Sequence, residues 1–307
     1  MASWRQGSLQ IWPVRLLLAW LVLFYLIAAD DAPAAAPRSL AARPPTIVRD
    51  IAYPGVAAGV RHQSLDLYLP ADSGTRPPLL IFVHGGFWHL SDDDYQLGAK
   101  VAEALVGDGV AVALVRYRLA GEARHPAQAT DVAAGVSLLI RDAQRYGYDA
   151  KRIFLSGHSA GGHLASLVAL DRNYLGKFGV KSNALAGVIS FSGLYDLQPR
   201  WRISQDQKTA TENCFGKDPA LLKQVSPVTY VRGDAPAFLI LVAANDFPGF
   251  LQDARQFAAA MVKAGQVQAA HRVIERYDHF SMLNLADRAN PARALLDEFI
   301  GIQRSSP

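Results

Sequence analysis

Ile153-Phe154-Leu155-Ser156-Gly157-His158-Ser159-Ala160-Gly161-Gly162-His163-Leu164 is the stretch on which the fold of this 307-residue chain turns. Arg152 to Leu155 has the apolar character of a short buried strand. Ala160 to Leu170 (AGGHLASLVAL) has that of a helix. Between them lies Gly-x-Ser-x-Gly, Gly157 to Gly161. A serine at the tip of so sharp a strand-to-helix turn presents its hydroxyl beyond the sheet, and the crowding there demands small neighbours. Gly157, Ala160, Gly161 and Gly162 supply them. The backbone N–H of Ala160, at the helix start, is placed to face a developing oxyanion. Gly and Ser are common enough that the pentapeptide arises by chance in about one chain in ten of this size. Its weight comes from the flanking strand and helix.

Outward from this motif the same rhythm runs in both directions. Leu79 to Val83 (LLIFV) and Val110 to Val115 (VAVALV) are continuously apolar, as strands buried on both faces are. Tyr95 to Val106 reads as a helix between them. Ala127 to Tyr146 reads as one long helix, with Pro126 as start signal and Gly147 as stop. Leu185 to Phe191, Ala237 to Val242 and His271 to Glu275 are further strands, with helices at Phe250 to Ala264 and Pro291 to Ile302. Ile47 to Tyr53 and Ser64 to Leu69 alternate apolar and polar residues, as an antiparallel edge pair does. Tyr195 to Tyr230 reads as irregular. The sum is an α/β fold: a mostly parallel eight-stranded sheet with helices on both faces, in one domain over 46–307.

Two regions precede that domain. Arg5 and Arg15 stand ahead of the apolar run Leu16 to Ala29, followed by small residues at Ala32 and Ala34. As a helix that run is about 21 Å long, short of the roughly 30 Å of a bilayer core. Residues 1–29 therefore read as a signal peptide of an exported (periplasmic or secreted) protein. An uncleaved N-terminal membrane anchor is the alternative. Residues 30–45, rich in Ala and Pro, read as a linker. A net charge of +4 and the lack of a basic-aromatic cluster argue against a nucleic-acid partner. The single cysteine, Cys214, excludes an internal disulfide framework and a Cys-rich zinc site.

Three more segments carry chemistry. His84-Gly85-Gly86-Phe87-Trp88 follows the buried strand Leu79 to Val83. Its paired glycines let backbone approach a ligand and free N–H groups for it. Gly86 and Phe87, with Ala160, are the expected oxyanion donors, and His84 is expected to brace the loop. A serine nucleophile also needs a base, and the base an orienting acid, in the chain order Ser, Asp or Glu, His. His279, in Tyr277-Asp278-His279-Phe280-Ser281 after the last strand, is preferred as base over His271, which opens the predicted strand His271 to Glu275. Asp246, after Ala237 to Val242, is preferred as acid over Asp196 and Asp278. The chemistry calls for no metal and no cofactor.

HGGFW, GHSAGG, AAND and YDHFSM together resemble the α/β-hydrolase superfamily, and within it the esterase/lipase branch that includes kynurenine formamidase (arylformamidase) and related carboxylesterases. His84 to Trp88 matches that branch's HGGxW motif at every fixed position. The resemblance covers about Thr46 to the C-terminus. It implies a serine hydrolase with catalytic Ser159, Asp246 and His279 acting on a small-molecule ester, or alternatively on an N-formyl amide. A non-catalytic binding module on the same fold usually lacks a triad member, and here all three are present. Formamidases of tryptophan breakdown generally lack an export signal, which favours the ester reading. Trp88, and the aromatics Trp201, Phe215 and Tyr230 of the irregular segment, are candidates to line a substrate pocket.

Overall fold

The computed structural model describes residues 44–302 apart from 72–74, 90–91, 182 and 199–203. The expected signal or anchor segment 1–29, nearly all of the linker 30–45, and Trp201 lie outside the described residues. Eight strands form one sheet: β1 (Thr46–Ala52), β2 (Ser64–Leu69), β3 (Leu79–Val83), β4 (Ala111–Val115), β5 (Ile153–His158), β6 (Gly187–Phe191), β7 (Ala237–Asn245) and β8 (Ala269–Asp278). Their order is β1-β2-β4-β3-β5-β6-β7-β8. β1 pairs antiparallel with β2, and β2 antiparallel with β4. From β4 to β8 every pairing is parallel.

The unbroken apolar runs are explained by burial on both sides. In β3, Leu79, Ile81 and Val83 join one core layer, while Leu80 and Phe82 join the other. The first layer takes in α2 (Ala127–Arg141), α4 (Ala160–Leu170) and α8 (Phe250–Lys263) through Val132, Leu164, Phe257 and their neighbours. The second takes in α1 (Asp92–Val106) and α9 (Pro291–Ile300) through Val101, Leu105, Leu296 and Ile300.

Several boundaries differ from the sequence expectation. α1 begins at Asp92, because Asp92, Asp93 and Asp94 suit the positive end of a helix. The long helix expected over Ala127 to Tyr146 breaks at Asp142 (φ −93°, ψ 11°), and α3 (Ala143–Tyr146) ends on left-handed Gly147. β8 extends beyond His271 to Glu275 on both sides. The segment expected to be irregular holds α6 (Gln205–Phe215), α7 (Pro219–Gln224) and a 3-10 turn at Pro227–Tyr230. α5 (Arg172–Gly176) follows α4 directly. Apolar periodicity misses α6 because two of the five residues it buries, Gln207 and Thr211, are polar. Side-chain caps start these helices instead: Ser204 accepts from the Gln207 N–H, and Asp218 from the Ala220 N–H.

Candidate active site

Parallel strands of matched register end along one edge of the sheet. Val83 lies beside Gly157, and Gly157 beside Ser190. Phe191 lies beside Leu241, and Asn245 beside Asp278. The residues that immediately follow β3, β5, β6, β7 and β8 are His84, Ser159, Ser192, Asp246 and His279. Side chains 33 to 195 positions apart in sequence are thus delivered to one edge, the carboxyl edge where open α/β sheets carry their sites.

Ser159 sits at φ 53°, ψ −120°, a conformation that an L-residue holds only when its surroundings enforce it. The enforcement is steric. A Cβ at Gly157 would stand 2.3 Å from the Gly161 carbonyl oxygen. One at Gly161 would stand 2.0 Å from the Val83 oxygen and 2.4 Å from that of His84. The first turn of α4 therefore packs backbone against backbone on the end of β3. This brings the Ala160 N–H and the HGGFW loop to the same place.

That loop leaves β3 through three successive positive φ values: 85° at Gly86, 52° at Phe87 and 62° at Trp88. Only glycine takes such a path without cost, so the two aromatic residues must be held there. Trp88 does the holding. It was expected to line a substrate pocket, but it is 1% exposed and sits in the core against His163 and Phe215. Its indole N–H donates to His163 Nδ1 at 3.2 Å, and its carbonyl accepts from the Ala120 N–H at 2.8 Å. His163 Nε2–H in turn donates to the Val225 carbonyl. Burial pushes the His163 pKa down to about 3, so the ring is neutral and can accept from Trp88. His84 braces the loop as expected. It stacks on Tyr117 at 4.4 Å and donates to the Gly85 carbonyl, and burial lowers its pKa to about 4. Tyr117 O–H donates to the same carbonyl at 2.9 Å.

His279 and Asp246 meet directly. Nδ1–H of His279 donates to Asp246 Oδ1 at 2.7 Å, with both side chains buried. The same oxygen accepts from the Phe247 N–H at 2.7 Å, and Oδ2 accepts from the Ser192 hydroxyl. The imidazole is walled by Phe247, Phe250 and Phe280, with ring centroids 4.6, 5.0 and 5.1 Å away. Its ring packs on that of His158 at 4.5 Å, the residue before Ser159. His158 Nε2–H donates to the His279 carbonyl at 2.7 Å. Burial, and then the neighbouring His279, hold His158 well below the usual histidine range, so it ties the β8 loop to the serine turn as a neutral strut.

The other candidate residues lie elsewhere or serve the scaffold. Asp278 accepts from the Phe280 and Ser281 N–H groups and the Ser281 hydroxyl, shaping the turn that carries His279. Asp196 accepts from the Gln198 N–H within its own loop. His271 is paired in register with Ile240, inside the sheet. Phe215 is buried under Trp88, and Tyr230 O–H donates to the Gln224 carbonyl. Cys214 is buried, and burial pushes its thiol up to about 12.

Ser192 was missed at the sequence level. It carries no motif beyond its position directly after a buried strand, with positive φ (46°).

Comparison with known proteins agrees with this fold. The BD-FAE family model matches residues 65–260. The kynurenine formamidase of Danio rerio is 31% identical over 256 residues, covering 82% of this chain and 81% of that one. Esterase LipQ of Mycobacterium tuberculosis (strain ATCC 25618 / H37Rv) is 27% identical over 266 residues, covering 82% of this chain and 62% of LipQ. A solved structure of a truncated carbohydrate esterase from gut microbiota has the same fold, with TM-score 0.72 at 22% identity over 83% of this chain and 95% of that one. The chain belongs to the BD-FAE family, in the esterase branch of the α/β-hydrolases.

Proposed function

We propose that the chain is a serine hydrolase that cleaves carboxylic esters through Ser159, His279 and Asp246 by way of an acyl-enzyme. One observation carries this reading. The hydrogen bond from His279 Nδ1–H to Asp246 is made by a histidine packed on the residue next to Ser159. With the Nδ1 proton committed there, Nε2 is left bare to act as a base. Nε2 takes the Ser159 proton as Oγ attacks the ester carbonyl, and Asp246 stabilises the imidazolium that results. The N–H groups of Gly86, Phe87 and Ala160 receive the oxyanion. The tetrahedral species collapses as the imidazolium protonates the departing alcohol. Water, deprotonated by the same nitrogen, then attacks the acyl-serine, and Ser159 leaves with the proton.

Replacing Ser159 by Ala tests the reading. Hydrolysis of a short p-nitrophenyl ester should fall by about 10³-fold or more, and full activity in Ser159→Ala protein would sink it. A second reading, hydrolysis of an N-formyl amide, is favoured by the 31% identity to a kynurenine formamidase. A panel of short and long acyl esters, aryl esters and N-formylkynurenine separates the two, because marked preference for the formyl amide would reverse their order. Residues 1–29 support export or membrane anchoring. N-terminal sequencing of the native protein distinguishes cleavage from retention.

A further inference from the structure

Against Phe87 lies a cavity of about 290 Å³, completed by Phe247, Pro248, Ser204, Asp206 and Gln207. The Phe247 ring centroid is 4.6 Å from that of His279, so the cavity adjoins the proposed base. In the mechanism above His279 protonates the departing atom. The leaving group therefore lies on the His279 side of the carbonyl, toward this cavity.

The walls have a definite chemistry. Two are phenylalanine rings, whose faces attract a cation through their quadrupole. Phe247 is 39% exposed, so its ring is available to a ligand. Ser204 is committed as helix cap, accepting from the Gln207 N–H. The charge in the lining comes from the Asp206 carboxylate, in the first turn of α6. No Lys, Arg or His is among the described lining residues. Aromatic rings together with a carboxylate suit a cation. The volume is near the small end of the roughly 300–1,000 Å³ of ligand pockets, which suits a small leaving group. Resting on the hydrolase reading above, we propose that this cavity receives a cationic leaving group, so that esters of small ammonium-bearing alcohols are preferred substrates.

The test compares acetylcholine with its uncharged carbon isostere, 3,3-dimethylbutyl acetate, on the full chain. The kcat/KM ratio should favour the charged ester about fivefold or more, as a partly exposed cation–aromatic contact beside a carboxylate allows. It should shrink with added salt. Asp206→Asn and Phe247→Leu, which keep shape while removing the charge or the ring face, should each bring the ratio toward one. A ratio near one in the unmodified protein, or one that Asp206→Asn leaves in place, overturns the proposal. Choline binding to Ser159→Ala protein, followed by calorimetry, separates the two levels of the reading. Binding that Asp206→Asn weakens supports the cationic pocket even if no ester is cleaved, and only the hydrolase reading then falls. Absence of choline binding overturns the pocket itself.

Discussion

At Asp246, three donors from three segments converge on one carboxylate: the His279 ring, the Phe247 amide and the Ser192 hydroxyl. Such a set holds the carboxylate in one orientation, and the carboxylate holds the imidazole. Asp246→Asn keeps the shape but no longer accepts at both oxygens, and it favours the wrong tautomer. We expect kcat to fall by about 10⁴ with the fold intact, checked by steady-state kinetics beside a melting curve. On the proposed mechanism Ser192 is a positioning residue one step further out, through its hydrogen bond to Asp246. Its Oγ also lies 3.0 Å from Met282 Sδ, on the turn after β8. Ser192→Ala removes one charge-assisted bond from Asp246 and touches no substrate. The loss, about tenfold, should therefore fall on kcat while KM holds. A loss confined to KM would refute the positioning role.

Between elements, the decisive contact is α4 on the end of β3. It leaves no room for a methyl group at Gly161, where the obstruction is backbone and cannot rotate away. Gly161→Ala should destabilise the protein by about 3 kcal/mol or more, against almost nothing for Gly176→Ala, where a Cβ meets nothing within 4 Å. Denaturant midpoints of the two variants make the comparison. The Trp88 to His163 hydrogen bond ties the strained HGGFW loop to the same helix. Trp88→Phe preserves much of the packing but orphans a buried acceptor on His163. A cost of about 1–3 kcal/mol follows. If the bond also fixes Phe87 for the oxyanion, kcat should drop along with stability.

Across the whole molecule, three histidines whose charged form is disfavoured by desolvation make folding sensitive to acid. Burial holds His84 and His125 at about 4 and His163 at about 3 in the folded state. Their unfolded pKa is about 6.5. Since the folded values are depressed, the unfolded chain binds more protons between pH 6.5 and 4, and stability falls as pH falls. Each contributes a slope of up to about 1.4 kcal/mol per pH unit, so together roughly 3–4 kcal/mol per unit near pH 5. Burial pushes Asp66 and Asp108 up, but hydrogen bonds outweigh it, from the Asp50 N–H, Tyr95 and Arg116 on the first and from Arg288 and Arg293 on the second; held low, they add a further loss toward pH 3 with the same sign. Chemical denaturation at pH 7.5 and pH 5 should therefore show a marked drop, and His163→Gln should flatten it. An unchanged stability between the two pH values would contradict the buried neutral state.

The serine turn, the glycine loop and the buried strands were legible in the sequence because each is governed by residues within a few positions of one another. Small side chains are needed where backbone meets backbone, and unbroken apolar runs are needed where both faces are covered. The order Ser159, Asp246, His279 followed from strand ends read one at a time. Tertiary structure alone decided which acid meets His279, because Asp246 and Asp196 each follow a strand and Asp278 ends one. Only the parallel register of β7 and β8 sets the first beside the imidazole. It also moved Trp88 from pocket to core, brought Ser192 to a carboxylate 54 positions away, and revealed the helices within 205–224. Those facts rest on contacts between distant segments. The order of strands in the sheet creates them, and no local pattern of side chains encodes them.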